Sequence, residues 1–211
     1  KKCRDKRLIH DFFDSKGIEV AKEYDKDQLE FPLFIKPSDG SRSVDTFFIR
    51  TKEDLTDYHF QNEKFMFLEY IDQTKFVEYT CDLYYNKEGE LKCAVPRKRI
   101  EVRDGEVSKG KTTKNELLTL IKKKLSKIEG VRGCLTAQFF FNEETKRIVA
   151  IEINPRFGGG YPLSYRAGAN FPKMLMEEYF MNKKIKYFEN WKKNLLMLRY
   201  DDEVLIENYV E

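Results

Sequence analysis

The sequence predicts an α+β fold: a small α/β unit over a larger one built on antiparallel sheet. Two observations carry the larger unit. Long segments with alternating side-chain character face each other across short polar turns. Residues 76–86 return as 91–102 through Lys87-Glu88-Gly89-Glu90, and residues 133–141 return from Arg147 through Asn142-Glu143-Glu144-Thr145. A third observation carries the small unit. Residues 31–70 gather three short strand-like runs and a helical stretch, with too few residues for a strong core of their own.

In chain order, residues 4–15 read as an amphipathic helix with Leu8, Ile9, Phe12 and Phe13 inward, closed by Gly17. Residues 31–35 form a strand that runs out at Lys36-Pro37. The loop Ser38-Asp39-Gly40-Ser41-Arg42-Ser43 leads to a second strand over 46–50, a helix over 52–62 and a third strand over 65–69. After the first hairpin comes a helix over 114–128, whose Lys122-Lys123-Lys124 run is the wet side beside Leu120, Ile121, Leu125 and Ile128. The second hairpin, helical segments within 162–181 and a last strand over 195–200 complete the chain. The expected division is a main unit of 1–30 and 71–211 and a small unit of 31–70.

Composition narrows the function. The 211 residues carry 39 Lys+Arg against 36 Asp+Glu, a net charge of +3 with the signs interspersed, which is a solvated surface and not a nucleic-acid footprint. There is no apolar run of membrane-spanning length and no signal-peptide pattern, so neither nucleic acid nor membrane is an expected partner. Cys3, Cys81, Cys93 and Cys134 lack metal-ligand spacing and read as free thiols of a reducing, cytoplasmic setting. With only His10 and His59, histidine-centred and zinc chemistry have little support.

The most informative stretch is Ile151-Glu152-Ile153-Asn154-Pro155-Arg156-Phe157-Gly158-Gly159-Gly160. On an extended segment Glu152 and Asn154 point one way and Ile151 and Ile153 the other, with Arg156 continuing on the polar side. If Gln138 lies opposite Glu152, one hairpin face carries Phe139, Phe141, Val149, Ile151 and Ile153, and the other carries Gln138, Glu152 and Asn154. Oxygen ligands beside a fixed cation suit a magnesium ion that carries substrate phosphates. The same polar face would serve equally as the wet side of an ordinary hairpin.

Other residues have a chemical and a bland reading side by side. Lys36, before a Gly/Ser loop, suits phosphate oxygens or simply caps a strand. Glu69, at the exit of Phe67-Leu68-Glu69-Tyr70-Ile71, suits a nucleobase edge or an ordinary strand end. Glu78 suits ribose hydroxyls or open surface. Arg97, Arg99 and Lys109 suit an anionic substrate or a γ-phosphate, or are plain surface charge.

In their order along the chain these features resemble the ATP-grasp superfamily, and within it the carbamoyl-phosphate-synthase-like branch of carboxylate-amine ligases. Cys3-Arg4-Asp5-Lys6 with the first helix is similar to the start of the ATP-grasp proper, residues 31–43 to the lid strand and phosphate loop, 67–71 to the adenine hinge, and 151–160 to the metal signature. The resemblance implies Lys6 and Lys36 as phosphate cations, Ser41 and Ser43 in the flexible loop, Glu69 and Ile71 at the adenine, and Glu78 at the ribose. It implies Gln138, Glu152 and Asn154 as ligands of Mg2+ (or Mn2+), and Arg156 facing the acyl phosphate; Lys109 is a catalytic candidate from its position alone. The implied activity uses ATP to turn a small-molecule carboxylate into an acyl phosphate, which an amine or ammonia then attacks. A nucleotide-binding module without catalysis, or one half of a carbamoyl-phosphate-synthase-like enzyme, is the alternative. The family pattern also implies an N-terminal domain ahead of this stretch, or a homodimer. Asp45 replaces a glycine of the family's phosphate loop, bringing a residue that tolerates the left-handed conformation but adds negative charge.

Overall fold

The computed structural model describes residues 2–40, 44–103, 105–200, 202 and 205–206. Two antiparallel sheets organise them. The smaller has the order β2-β1-β3, with β1 Leu33–Pro37, β2 Phe47–Ile49 and β3 Phe65–Glu69. Leu33 lies opposite Ile49 on one side and Glu69 on the other. Its own core is Leu33, Ile35, Ile49, Phe65 and Phe67. The strand from residue 31 begins two residues later than the sequence suggests, which puts Lys36 inside β1. The helix expected over 52–62 is broken: a 3-10 turn Lys52–Asp54 and helix α2 (Asp57–Gln61) flank Leu55-Thr56, where the backbone is extended and Thr56 takes the N-cap position of α2.

The larger sheet has the order β8-β7-β4-β5-β6-β9, formed by β4 (Val77–Tyr85), β5 (Leu91–Arg103), β6 (Glu106–Thr112), β7 (Gly133–Phe141), β8 (Ile148–Asn154) and β9 (Leu196–Leu198). Strand β6 was not expected. Glu-Val-Ser-Lys-Gly-Lys-Thr has no apolar run, and its pairing with β5 is what makes it a strand. One face of the sheet presents Tyr79, Cys81 and Leu83 opposite Phe139, Ala137 and Leu135. Helix α1 (Lys6–Ser15) lies over it, with the fully buried Phe13 ring edge-on to Phe139 at 5.8 Å. Burying an aromatic of this size contributes roughly 1.5–3 kcal/mol. Asp5 caps α1 by accepting from the Arg7 and Leu8 amides, and Gly17 at φ 63 ends it in the left-handed turn that glycine enters without penalty.

Helix α3 (Glu116–Lys124) also covers this face, where the Tyr85 hydroxyl donates to the Leu125 carbonyl at 2.7 Å. It ends well before residue 128, because Ser126 and Ile128 turn back to bond Leu91 and Gly89. The helical stretch after the glycines is two helices, α4 (Tyr161–Arg166) and α5 (Phe171–Tyr179), broken where Gly168 takes φ 112. They cover one end of the opposite face, the Phe171 ring against Tyr84 at 5.6 Å. No helix among the described residues is long and apolar enough to cross a membrane.

One register detail corrects the sequence reading. Gln138 does pair with Glu152, but Phe139 pairs with Ala150, so Ile151 is an extra, bulged residue. The bulge inverts the alternation on its far side. Ala150, not Val149, joins Phe139 in the main core, and Val149 turns to the polar face beside Phe140, where it meets Ile71 and Phe76.

Candidate active site

The second sheet face is polar because of how the strands register. Thr112, Arg97, Thr80, Gln138 and Glu152 are successive partners across β6, β5, β4, β7 and β8. In one flanking row Asp82, Thr136 and Asn154 are partners, and in the other Glu78, Phe140 and Val149. Side chains alternate along a strand, so residues 78, 80 and 82 of β4 all reach this face.

Gln138, Glu152 and Asn154 are together at one end. The Asn154 Nδ2 donates to Glu152 Oε1 at 2.6 Å, which leaves the amide oxygen as the atom Asn154 can offer a cation. These are hard oxygen donors of the kind magnesium takes. Among the described residues no three His, Cys, Asp or Glu side chains form a metal cluster. A cation held here therefore needs further anionic oxygens, as phosphates would supply.

Opposite Glu152 stand two lysines. Lys6 opens α1, its amide donating to the Ser38 carbonyl at 2.8 Å and its ammonium to the Gly40 carbonyl. Lys36 projects from β1. Burial, then Lys6, lowers the Lys36 pKa to about 8, with Glu152 and Glu23 opposing. Burial also lowers Lys6, against Glu152, Asp39 and Asp5. His10 behind them falls to about 4, through burial and the charges of Lys36 and Lys6. Cations desolvated beside each other at some cost are poised for an anion. Ser41 and Ser43 lie outside the described residues. Asp45 takes φ 54, the left-handed conformation, on an exposed turn.

The lysine pair carries a test with a defined sign. A fall from the ordinary 10.5 to about 8 costs the folded state on the order of 3 kcal/mol while Lys36 is charged. That cost is fully present below pH 8 and is relieved as pH rises from about 8 toward 10.5, where the folded chain has released a proton that the unfolded chain still holds. Lys36→Met is expected to melt no lower than the parent at pH 7 and to lose the extra stability that the parent gains above pH 8, while binding ATP about tenfold more weakly. Melting curves from pH 7 to 10 with titration calorimetry check this; a lower melting temperature with unchanged affinity would contradict it.

At the junction of the sheets, Ile71, Phe76 and Val149 form a small apolar cluster with Ala21 and Phe140 at its edge. Glu69 ends β3 beside it, its carboxylate paired to Arg147 at 2.7 Å, and Arg147 also holds Glu19. The structure thus gives Glu69 a side-chain partner, Arg147, next to the apolar cluster that contains Ile71. Glu78 is paired to Arg99 at 2.6 Å; burial raises its pKa, Arg99 opposes, and Glu152 adds to the rise, which puts Glu78 near the cation end.

The face opens into a cleft lined by Arg97, Arg99, Glu106, Gln138, Arg156 and the turn 158–160, among others. Arg97 is fully buried and held by Asp82, Nε to Oδ2 at 2.6 Å and Nη2 to Oδ1 at 3.2 Å; Ser164 Oγ donates to the same Oδ2 at 2.5 Å. The glycines make room. A Cβ on Gly160 would lie 2.1 Å from Arg97 Nη1, and one on Gly159 would lie 1.9 Å from Glu106 Oε2. Arg156 is exposed at the rim, donating to its neighbour's carbonyl at 3.3 Å. Lys109 is not brought to the cleft: it pairs with Glu101 at 2.5 Å and does not line the cavity. The sequence reading missed Asp82, Glu106 and Ser164. The alternate spacing of Glu78, Thr80 and Asp82 was a usable signal for Asp82; Glu106 and Ser164 gave none.

Residues 61–201 match the model of a family described as ATP-grasp in the biosynthetic pathway with Ter operon. No curated protein matches in sequence. Among solved structures, the chain is similar to a Campylobacter jejuni biotin carboxylase in complex with β,γ-ATP (TM-score 0.71, 13% identity, covering 92% of this chain and 49% of that one). It is also similar to a Staphylococcus aureus N5-carboxyaminoimidazole synthetase with ADP (0.64, 16%, 79% and 48%) and to a Bacillus licheniformis L-amino acid ligase (0.61, 15%, 84% and 47%). The chain spans about half the length of each of these structures.

Proposed function

Because the chain belongs to the ATP-grasp family, its family match covering more than half of its length, we propose that it is the nucleotide- and metal-binding part of an ATP- and Mg-dependent ligase that joins a carboxylate to an amine. The observation that carries this reading is that Gln138, Glu152 and Asn154 share one polar sheet face, continuous with a cleft rich in arginine, while Lys6 and Lys36 stand close enough to Glu152 to feel its charge. The structures it is similar to include a carboxylase, a synthetase and an amino acid ligase with nucleotide in two of the three.

Magnesium ATP, when bound, would supply a phosphoryl group that makes the carboxylate an acyl phosphate, from which an amine displaces inorganic phosphate. The chain's own residues do the rest. Ile71, Phe76 and Val149 take the flat base, with Glu69 and Glu78 at its polar edges. Lys6 and Lys36 neutralise phosphate charge, and an anion beside Lys36 keeps it protonated above pH 8. Gln138, Glu152 and Asn154 hold the cation. Arg156 and Arg99 hold the carboxylate near that cation, preorganised for charge that spreads during transfer.

Glu152→Gln tests the cation end. It sits on the polar face, away from the main core, so the fold should remain. The expected result is a melting temperature within a few degrees of the parent and ATP affinity with magnesium lowered about tenfold or more, with little change when magnesium is chelated. Titration calorimetry with and without chelator reads this. Equal loss in both conditions, or none, removes Glu152 as a ligand.

A further inference from the structure

Lys6 and Lys36 repel each other: after burial, the charge of Lys6 is the largest influence holding the Lys36 pKa down. They stand on separate elements, Lys6 at the start of α1 and Lys36 in β1 of the small sheet. A shift of that sheet away from α1 would relieve the repulsion and spoil the pair as a site for phosphate. A tether between the two elements is therefore needed before any anion arrives.

Arg7, next to Lys6 in α1, reaches three acceptors. Its Nε donates to Glu23 Oε1 at 2.9 Å, its Nη2 to the Phe65 carbonyl at 3.1 Å, and both Nη atoms to the Glu63 carbonyl at 3.4 Å. Phe65 opens β3 and lies opposite Pro37, one place along from the pair Lys36 and Met66. Along the β3 edge, the Phe67 carbonyl accepts from the Tyr24 amide at 2.7 Å and the Glu69 amide donates to the Lys22 carbonyl at 2.8 Å, while Glu23 bridges to Leu68. Arg7 takes up that edge where the segment 22–24 leaves off. The Lys6 amide meanwhile donates to the Ser38 carbonyl just after β1, and the Ser38 amide to the Lys64 carbonyl just before β3. The first turn of α1 thus grips both the exit of β1 and the entry of β3.

Resting on the ligase reading, we propose that Arg7 is a positioning residue for the nucleotide phosphates: by holding the entry of β3, and through it β1, against the first turn of α1, it keeps Lys6 and Lys36 together as one anion site. Arg7 itself acts through the lysines and does not touch the nucleotide. Its ion pair with Glu23 is 40% and 34% exposed, so as a charge contact it contributes little. Its value is geometric. A guanidinium presents several donors in one rigid plane, which suits a carboxylate and two carbonyls at fixed angles, whereas an ammonium on a flexible stem does not. Holding two like charges together in the folded state places the cost of their repulsion in folding and removes it from binding, which raises affinity for the anion.

The test uses the protein containing this chain, with Arg7→Gln and the charge-preserving Arg7→Lys. Without nucleotide, hydrogen exchange at residues 33–37 and 65–69 should be about tenfold or more faster in Arg7→Gln, with β7 unchanged. By titration calorimetry, affinity for magnesium ATP should fall about tenfold in Arg7→Gln and by a smaller factor in Arg7→Lys, while adenosine affinity stays within about twofold. Because Arg7 acts through the lysine pair, Arg7→Gln combined with Lys36→Met should bind ATP about as weakly as Lys36→Met alone. Unchanged exchange in the small sheet, equal losses for ATP and adenosine, or losses that multiply in the double variant would each overturn the inference. Failure of ATP to bind the unmutated protein would instead overturn the ligase reading, and the exchange comparison, which needs no nucleotide, would still decide whether Arg7 holds the small sheet to α1.

Discussion

Asp82→Ala is expected to lower stability by about 3–5 kcal/mol, the cost of leaving a buried guanidinium without its counter-ion. Asp82 and Arg97 are 0% and 1% exposed, and Ser164 donates to the same carboxylate, so the variant strands three donors and a charge together. The effect is structural in origin and functional in consequence, because Arg97 forms the floor beneath the glycine turn. Replacing the pair together, Asp82→Leu with Arg97→Met, should recover much of the stability, since a buried pair contributes little over apolar residues of similar size. Urea unfolding measures both. A loss below about 1 kcal/mol for the single variant, within the range of an exposed pair, would show that the pair is not sealed from water.

Arg156→Lys is expected to leave ATP affinity within a few fold and to lower turnover about a hundredfold or more. Arginine presents a rigid fork to a planar carboxylate, whereas lysine presents a point charge on a flexible stem. The exposed rim position means that the fold does not depend on this side chain, whose hydrogen bond is to its neighbour's carbonyl. Phosphate release gives turnover and nucleotide fluorescence gives affinity. Full turnover in the lysine variant would take Arg156 out of the mechanism.

Much of this was legible in the chain, for reasons visible in particular residues. The strands Phe65–Glu69 and Gly133–Phe141 fall where the sequence put them, the first as a short continuous apolar run buried on both faces, the second as a segment whose apolar positions pack into the core. The turn at Asn142 sets Phe141 opposite Ile148 and by itself would put Gln138 opposite Ile151; it is the bulge at Ile151 that brings Gln138 opposite Glu152. Two features were hidden. Strand β6 draws its structure from its neighbours and not from its own residues, and the bulge at Ile151 turns Val149 to the other face without any glycine or proline to announce it. The site shows the same division. Residues on one continuous motif were readable, while Glu106 enters through the unannounced strand and Ser164 through a helix whose position is set by tertiary packing. Lys109 was drawn in by its closeness in sequence, yet it is held by Glu101 and does not line the cleft.

In the proposed activity this face supports transfer of the terminal phosphoryl group of ATP to a carboxylate. Trapping with hydroxylamine tests it most directly, because hydroxylamine replaces the unknown amine and converts an acyl phosphate to a hydroxamate with release of phosphate. The protein containing this chain, supplied with ATP, magnesium, hydroxylamine and a panel of carboxylates, should form ADP and hydroxamate in equal amounts with at least one carboxylate, and none with Glu152→Gln. AMP and pyrophosphate in place of ADP, or ADP formed at the same rate with and without every carboxylate, would contradict the account.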